Sequence, residues 1–124
     1  VCLQEKNLNG KHCGAPWLER RYYYDLKEDK CVLFIPVTCG ETSGNNFSNR
    51  KDCFEKCIPD SPCLTFRKGR TNGTSIKGYS YHPGIDVCLS AKYRENVKFW
   101  PQYNRFHEQQ KCQEECAPQV PIQG

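Results

Sequence analysis

Apolar and aromatic residues occur along this chain in short clusters separated by charged and turn-forming residues, and the clusters follow the same order twice. In the first half, the aromatic stretch 20–25 precedes charged turn residues and then the β-branched and aromatic run 31–35, which predicts a β-hairpin. In the second half, the runs 79–84 and 87–93 predict another hairpin. Neither half contains the roughly 18 consecutive apolar residues of a membrane-spanning helix. The pattern therefore predicts two small units built alike.

A short helix is predicted after each hairpin. Ser48 is suited to cap a helix over 49–57, and a second helix is predicted from about His107 to residue 116. Both helices carry two cysteines four residues apart, so that both sulfurs lie on one face; these are Cys53, Cys57, Cys112 and Cys116. Each helix is thereby placed to hold both its hairpin and the start of its own unit.

The cysteine content decides the broad class of the protein. The 124 residues include 10 cysteines, and only 37% of the chain is hydrophobic. Units of about 57 residues are marginally stable from burial alone, whereas disulfides closing loops of roughly 20–55 residues each add about 3–4 kcal/mol. Oxidised cysteines predict a secreted, extracellular protein. A start at Val1-Cys2, without a leader-like segment, is what we expect of a mature secreted product.

Proline-rich segments suggest where the units end. The predicted organisation is a domain over 1–57, a linker over 58–62, a second domain over 63–116 and a flexible tail over 117–124. The linker and the tail each contain two prolines, which favour stiff or irregular chain over regular structure.

The net charge of +4 is concentrated in the second half. Residues 63–116 contain nine Lys or Arg against five Asp or Glu, and the densest basic run holds Arg67, Lys68 and Arg70. Such a surface either keeps the protein soluble or binds an acidic partner such as a sulfated polysaccharide. We expect no nucleic acid or membrane partner, and we expect a monomer.

Several short motifs accompany the cysteines in both halves. The first half combines six cysteines with Arg21-Tyr22-Tyr23-Tyr24 and Gly44-Asn45-Asn46-Phe47. The second half combines four cysteines with Tyr79-Ser80-Tyr81 and Asn104-Arg105-Phe106. These motifs resemble the Kunitz family, whose fold is that of bovine pancreatic trypsin inhibitor. The resemblance implies a small disulfide-rich α+β fold with two tandem Kunitz domains, each a twisted β-hairpin plus a C-terminal helix.

The same resemblance implies one disulfide pairing, which spacing alone leaves open. The implied bonds are Cys2–Cys57, Cys13–Cys39 and Cys31–Cys53 in the first domain, then Cys63–Cys116 and Cys88–Cys112 in the second. The alternative is a zinc site, because His12 adjoins Cys13, but the chain contains no CxxC pair. We therefore expect no metal and no cofactor.

Kunitz domains of the familiar kind inhibit serine proteases through a rigid loop around the second cysteine. The implied inhibitory loop comprises Cys13, Gly14, Ala15, Pro16, Trp17, Leu18, Thr38 and Cys39. Gly14 would enter the specificity pocket of the protease, where a glycine supplies neither charge nor buried area. The degenerate loop of the second domain is Asn72, Gly73 and Thr74, in which Asn72 stands where the family has a cysteine.

Two further kinds of site residue are predicted. Asn46 and Asn72 begin glycosylation sequons. The aromatic pairs Trp17-Leu18 and Phe99-Trp100 lie in lengthened segments, where they either cover a small core or serve as exposed anchors for a partner. The candidate contacts outside the loop are Arg67, Lys68, Arg70, Phe99 and Trp100.

The six-plus-four arrangement of cysteines is similar to the tandem Kunitz anticoagulants of tick saliva. That resemblance implies an inhibitor of a host blood cascade, of the coagulation, tissue factor pathway or factor Xa type, which binds a plasma serine protease or zymogen through exosites. Two alternatives remain open: inhibition of a small-pocket protease through Gly14, or binding of an ion channel or receptor. An enzyme is not expected, because the three histidines are dispersed and no nucleophile–base pair is recognisable.

Overall fold

The computed structural model describes residues 1–12, 19–69 and 75–119. The chain forms two compact units, one comprising Val1–Pro59 with the residues from Pro118 onward, the other Asp60–Ala117. Each unit contains an antiparallel hairpin followed by one short helix. Within the described ranges, no helix is both long enough and apolar enough to cross a bilayer.

The first unit contains four strands and one helix. These are β1 (Asn9–Gly10), β2 (Arg21–Asp25), β3 (Lys30–Phe34), β4 (Thr38–Cys39) and α1 (Arg50–Cys57). Strands β2 and β3 pair antiparallel, with Tyr24 opposite Cys31, and β1 pairs in parallel with β4. Aromatic and β-branched side chains from both strands of the hairpin form its small core, namely Tyr23, Val32 and Phe34.

The second unit repeats the hairpin and the helix. It contains β5 (Ile76–His82), β6 (Val87–Tyr93) and α2 (Gln109–Cys116), with 3-10 turns at Pro62–Leu64 and Pro101–Tyr103. Tyr81 faces Cys88 as Tyr24 faces Cys31, so both hairpins have the same register at an offset of 57 residues. Residues of the two hairpins can therefore be compared position by position.

The predicted hairpins and helices form, but three of their boundaries differ from the prediction. Ser48 is not the cap of α1; the cap is Asn49, whose side-chain oxygen accepts a hydrogen bond from the Asp52 amide at 2.8 Å. Helix α2 begins at Gln109, two residues later than predicted, and its N-cap residue makes no side-chain capping bond. Strand β5 begins at Ile76, three residues earlier than predicted.

Disulfides join each helix to its hairpin and to the start of its unit. Four of the five implied bonds are present: Cys2–Cys57, Cys31–Cys53, Cys63–Cys116 and Cys88–Cys112. Cys39 is disulfide-bonded as well, and its implied partner Cys13 lies outside the described residues. The predicted small, disulfide-rich α+β fold is therefore confirmed.

A buried asparagine fixes the hairpin in each unit. The Asn45 side chain accepts from the Tyr24 amide at 2.8 Å and donates to the Tyr24 carbonyl at 2.9 Å. Asn104 makes the same two bonds to Tyr81, at 2.8 and 2.9 Å. Both asparagines are almost fully buried, so losing either one would leave backbone groups unsatisfied in the core.

The hairpin turns are closed by a matching pair of side chains. The Tyr24 hydroxyl donates to Asp29 at 2.5 Å, and the Tyr81 hydroxyl donates to Asp86. Both aspartates have a φ of 55°, in the left-handed region that Asp tolerates better than most residues. The hydrogen bond to Asp29, more than the accompanying burial, raises the pKa of Tyr24 to about 12.

The prediction of a flexible tail is wrong for its first three residues. Ala117 is buried and donates its amide to the Gln113 carbonyl, which ends α2. The Pro118 carbonyl accepts from the Leu33 amide at 3.0 Å and from the Arg50 guanidinium at 2.7 Å, and Gln119 pairs with Leu33. Residues 118–119 therefore extend the sheet of the first unit beyond β3, and residues 120–124 lie outside the described ranges.

Candidate functional site

The base of the predicted inhibitory loop is described, although its tip is not. Of the predicted site residues, those outside the described ranges are Cys13, Gly14, Ala15, Pro16, Trp17, Leu18, Arg70, Asn72, Gly73 and Thr74. Thr38 and Cys39 are described and exposed, in strand β4. Because β4 pairs with β1, which leads into the loop, both strands belong to the loop base.

Glu19 connects the chain before the loop with the chain after it. Its carboxylate accepts the Lys11 amide at 3.0 Å and the His12 amide at 2.6 Å. The same carboxylate forms an ion pair with Arg21 at 3.2 Å. One side chain thus ties together the two segments from which the loop 13–18 emerges.

Opposing effects set the pKa of Glu19. Burial is the largest single effect and raises it, but the hydrogen bonds from Lys11 and His12, with the hydrogen bond and charge of Arg21, together outweigh burial. The pKa of Glu19 therefore lies below its ordinary value of 4.5, and the group is a carboxylate at neutral pH.

A buried polar network continues from Arg21 into β1. The Arg21 Nε donates to the Asn46 side-chain oxygen. The Asn46 amide nitrogen donates to the carbonyls of Asn7 and Asn9 at 2.8 and 2.7 Å, and the Asn9 side chain accepts from the Thr38 hydroxyl at 2.8 Å. The loop base is therefore held by polar side chains rather than by a hydrophobic core.

The predicted glycan at Asn46 is incompatible with this fold. Asn46 is only 6% exposed, and the nitrogen that would carry a sugar donates to two backbone carbonyls. A glycan there would remove a donor and require space inside the network. The other predicted acceptor, Asn72, lies outside the described residues.

The second unit replaces the arginine of this network by an aromatic ring. With the offset of 57 residues, Gly78 occupies the position of Arg21. A Cβ at Gly78 would overlap the ring of Phe99, so the ring needs a glycine beneath it. Phe99 also stacks on His107 with 4.2 Å between ring centroids and meets the edge of Tyr93 at 5.5 Å.

The neighbouring residues Phe99 and Trp100 have different environments. Phe99 covers the hairpin, in agreement with the core interpretation, whereas Trp100 is 57% exposed. Trp100 borders a surface depression of about 410 Å³ whose charged rim consists of Arg105, Glu108, Lys111, Glu114 and Glu115. The second unit thus presents an exposed aromatic side chain on a backbone that is fixed by its neighbour.

The two described members of the predicted basic run differ as well. Arg67 is half-buried: its amide donates to the Ser80 hydroxyl, its carbonyl accepts from the Tyr93 hydroxyl, and its Nε donates to the Tyr103 carbonyl at 3.1 Å. Lys68 is exposed. Arg67 therefore serves largely to fix this segment, which leaves Lys68 as the available charge.

The described parts of the chain contain no cluster of three or more His, Cys, Asp or Glu side chains suited to a metal ion. Sequence reasoning missed Glu19 and its partners, because they come from segments more than twenty residues apart. The buried Asn46, read there as a sequon, was a signal that the Asn-Asn-Phe motif already contained.

Comparisons with known proteins agree with the geometry of the first unit. The model of the Kunitz/bovine pancreatic trypsin inhibitor domain matches residues 1–58. Amblin of Amblyomma hebraeum is 30% identical over 88 residues, which cover 66% of this chain and 52% of Amblin. Guianensin of Simulium guianense is 31% identical over 75 residues, which cover 55% of this chain and 70% of Guianensin. The chain therefore spans about half the length of the first relative and more of the second.

Among solved structures, the NMR structure of ixolaris, determined together with its factor X interaction, is similar at 22% identity and a TM-score of 0.31. The similarity covers 86% of this chain and 88% of the ixolaris chain.

Proposed function

Because the chain belongs to the Kunitz/bovine pancreatic trypsin inhibitor family, we propose that it is a secreted inhibitor of a serine protease of host blood, or of its zymogen. The match over residues 1–58 and the relatives Amblin and Guianensin support an inhibitor. The disulfides support secretion, since such bonds persist in oxidising compartments. We place the contact with the protease outside its active site.

We also propose that residues 60–117 form a second, degenerate Kunitz domain. The shared hairpin register, the equivalent asparagines Asn45 and Asn104 and the helix-to-hairpin disulfides support this assignment. Gly78 and Phe99 replace the polar network of the first unit, so this domain no longer braces an inhibitory loop in the same way. Its role is accordingly a different one.

The observation that carries the exosite proposal is the exposure of Trp100. Tryptophan is the residue type most enriched among interface residues of high binding energy. Phe99, held between Tyr93 and His107, fixes the adjacent backbone, so presenting Trp100 requires little ordering on binding. Gly14, by contrast, brings no side chain to a specificity pocket.

Capture from plasma tests this proposal. The immobilised protein, the variant Trp100→Ala and the control Leu26→Ala are incubated with plasma, and captured proteases and zymogens are identified by mass spectrometry. Leu26 is an exposed apolar residue of the first unit, 60% accessible, and matches Trp100 in that respect. We expect the wild type and the control to capture a zymogen, and Trp100→Ala to capture roughly tenfold less or fainter still.

A zymogen has no formed active site for a loop to enter, so its capture separates the two mechanisms. If only active proteases are captured, and if blocking their active sites abolishes capture, the exosite proposal fails.

The braced loop base favours a second candidate, standard-mechanism inhibition through Gly14. Glu19 and the network behind it preorganise the ends of the loop, which reduces the entropy lost when a loop enters an active site. Gly14→Asp tests it against proteases with small specificity pockets. Loss of inhibition in Gly14→Asp, with full activity in Trp100→Ala, would favour this mechanism over the exosite.

A further inference from the structure

Three exposed lysines come together at the end of the second hairpin that lies away from its turn. Lys77 and Lys92 stand directly opposite each other in the register of β5 and β6. Side chains in such a pair start from Cβ atoms about 4.5–5.5 Å apart. Two like charges are therefore held side by side across the hairpin.

Lys68 is brought to the same place by its neighbour Gly69. A Cβ at Gly69 would lie 2.7 Å from the Lys92 carbonyl oxygen and 2.8 Å from the Ala91 Cβ, so the chain crosses β6 in close contact. The preceding residue, Arg67, is anchored to Ser80 in β5 and to Tyr93 in β6. Lys68 thus follows a fixed residue and precedes a close backbone contact.

The three ammonium groups lack a neutralising carboxylate. None of them forms an ion pair with another described residue. Asp86 lies at the hairpin turn, roughly 17 Å away along the strands, and accepts from Tyr81. In the segment after β6, Glu95 is accompanied by the basic residues Arg94 and Lys98.

The fold does not need this arrangement. Like charges directly opposite in an antiparallel pair destabilise the sheet, and one neutral side chain at either position would remove the repulsion. The Lys77 ammonium lies 5.8 Å from the centroid of the Tyr79 ring, a contact that leaves its charge in place. The unfavourable pairing becomes favourable once an anion lies between the two lysines.

We propose that Lys68, Lys77 and Lys92 form a binding site for a sulfated polysaccharide. Sulfate groups repeated along an extended chain can neutralise neighbouring ammonium groups, and their counterions are released on binding. The exposed large apolar side chains of the described residues lie elsewhere, so the patch has no apolar anchor for a lipid surface. The disulfides indicate an oxidising, extracellular setting, where sulfated polysaccharides are the polyanions at hand.

This site goes beyond the proposed protease inhibition. The basic run of the sequence suggested Arg67, Lys68 and Arg70 for such a partner. Hydrogen bonds engage Arg67, Arg70 lies outside the described residues, and the strand register supplies Lys77 and Lys92 in their place.

Heparin serves as the probe for the test. The double variant Lys77→Ser/Lys92→Ser is compared with the control Lys27→Ser/Lys56→Ser, which removes the same charge from exposed positions of the first unit. We expect the wild type and the control to elute from a heparin column at similar salt concentrations. The Lys77→Ser/Lys92→Ser variant should elute at lower salt and bind a heparin fragment of defined length roughly tenfold more weakly by calorimetry.

Equal elution of both double variants would overturn the proposal, since binding would then follow net charge alone. Stronger retention by phosphatidylserine vesicles or by duplex DNA than by heparin would overturn the choice of ligand. Capture of the plasma protease by Lys77→Ser/Lys92→Ser should match the wild type, which keeps failure of this site distinguishable from failure of the inhibitor proposal.

Discussion

Glu19 shows how much a single residue can contribute to a loop that has no core of its own. Its two carboxylate oxygens bind amides on one side of the loop and a guanidinium on the other. Charged hydrogen bonds of this kind contribute more than neutral ones, because each ionised partner is fully satisfied. The stability of the loop base should therefore depend on the protonation of Glu19.

Glu19→Gln should destabilise the first unit by about 1–2 kcal/mol at neutral pH, because the ion pair and one strong acceptor are lost. The wild-type advantage should be present above about pH 4.5, the ordinary pKa of Glu, and should disappear as the pH falls through the lower pKa of the folded state. Urea unfolding of both proteins at about pH 7 and about pH 3 measures this difference. Glu28→Gln, at an exposed position in the hairpin turn, is the control.

Tyr24 should give the opposite dependence on pH. Its pKa in the folded protein, about 12, is above the ordinary value of 10, so its contribution is complete below about pH 10 and is lost as the pH rises toward 12. Tyr24→Phe should lower the unfolding free energy by about 1 kcal/mol at neutral pH. It should also lose less stability than the wild type between about pH 9 and about pH 11, as measured by denaturant unfolding. An unchanged alkaline slope would contradict the role of the Asp29 bond.

At the scale of elements, the two hairpins show how one framework supports different surfaces. Their backbone registers match, but the Arg21 position is a buried arginine in one and Gly78 in the other. The glycine makes room for a ring from the segment after β6, and that ring fixes Trp100. One substitution within the strand thus accompanies a new surface outside it.

Gly78→Ala should destabilise the second unit by about 1–3 kcal/mol, because the added methyl group overlaps Phe99 and leaves 3.1 Å to the Phe106 carbonyl oxygen. The double variant Gly78→Ala/Phe99→Ala should lose less than the sum of its single variants, since removal of the ring frees the space. A double-mutant cycle by urea unfolding measures this coupling. Additive losses would mean that Phe99 does not occupy the site.

Much of the fold was predictable from the order of the clusters. Aromatic and β-branched runs separated by turn residues identify hairpins at any position, and the family resemblance supplied a disulfide pairing that the structure confirms at four bonds. The helix boundary was not predictable, since Ser48 and Asn49 are both good caps and the backbone angles decide between them. The Glu19 network and the exchange of Arg21 for Gly78 depend on strand register, which local patterns do not reveal.

At the scale of the whole molecule, the first unit is not continuous in sequence. Residues 118–119, which follow α2, provide the partner for the outer edge of β3 and a carbonyl for the buried guanidinium of Arg50. A protein that lacks these residues therefore has an incomplete first unit even though every residue from 1 to 59 is present.

A protein ending at Ala117 should lose protection of the Leu33 amide against hydrogen exchange. The amide loses its acceptor at 3.0 Å, and Arg50 loses one of its carbonyl partners, for a loss of about 1–2 kcal/mol in the first unit. The Tyr79 amide, which donates to Phe106 at 2.8 Å in the second unit, should remain protected and is the internal reference. Unchanged exchange at Leu33 would show that the edge is closed in another way.

The position of residues 118–119 also imposes an order on biosynthesis. A ribosome adds about 5–20 residues per second, so roughly 3–12 seconds separate the completion of α1 from the appearance of the residues that cover β3. During that interval the newborn hairpin exposes an unpaired strand edge, the kind of surface on which other chains can add. The nascent first unit is thus a client for chaperones of the secretory pathway until its own chain closes the sheet.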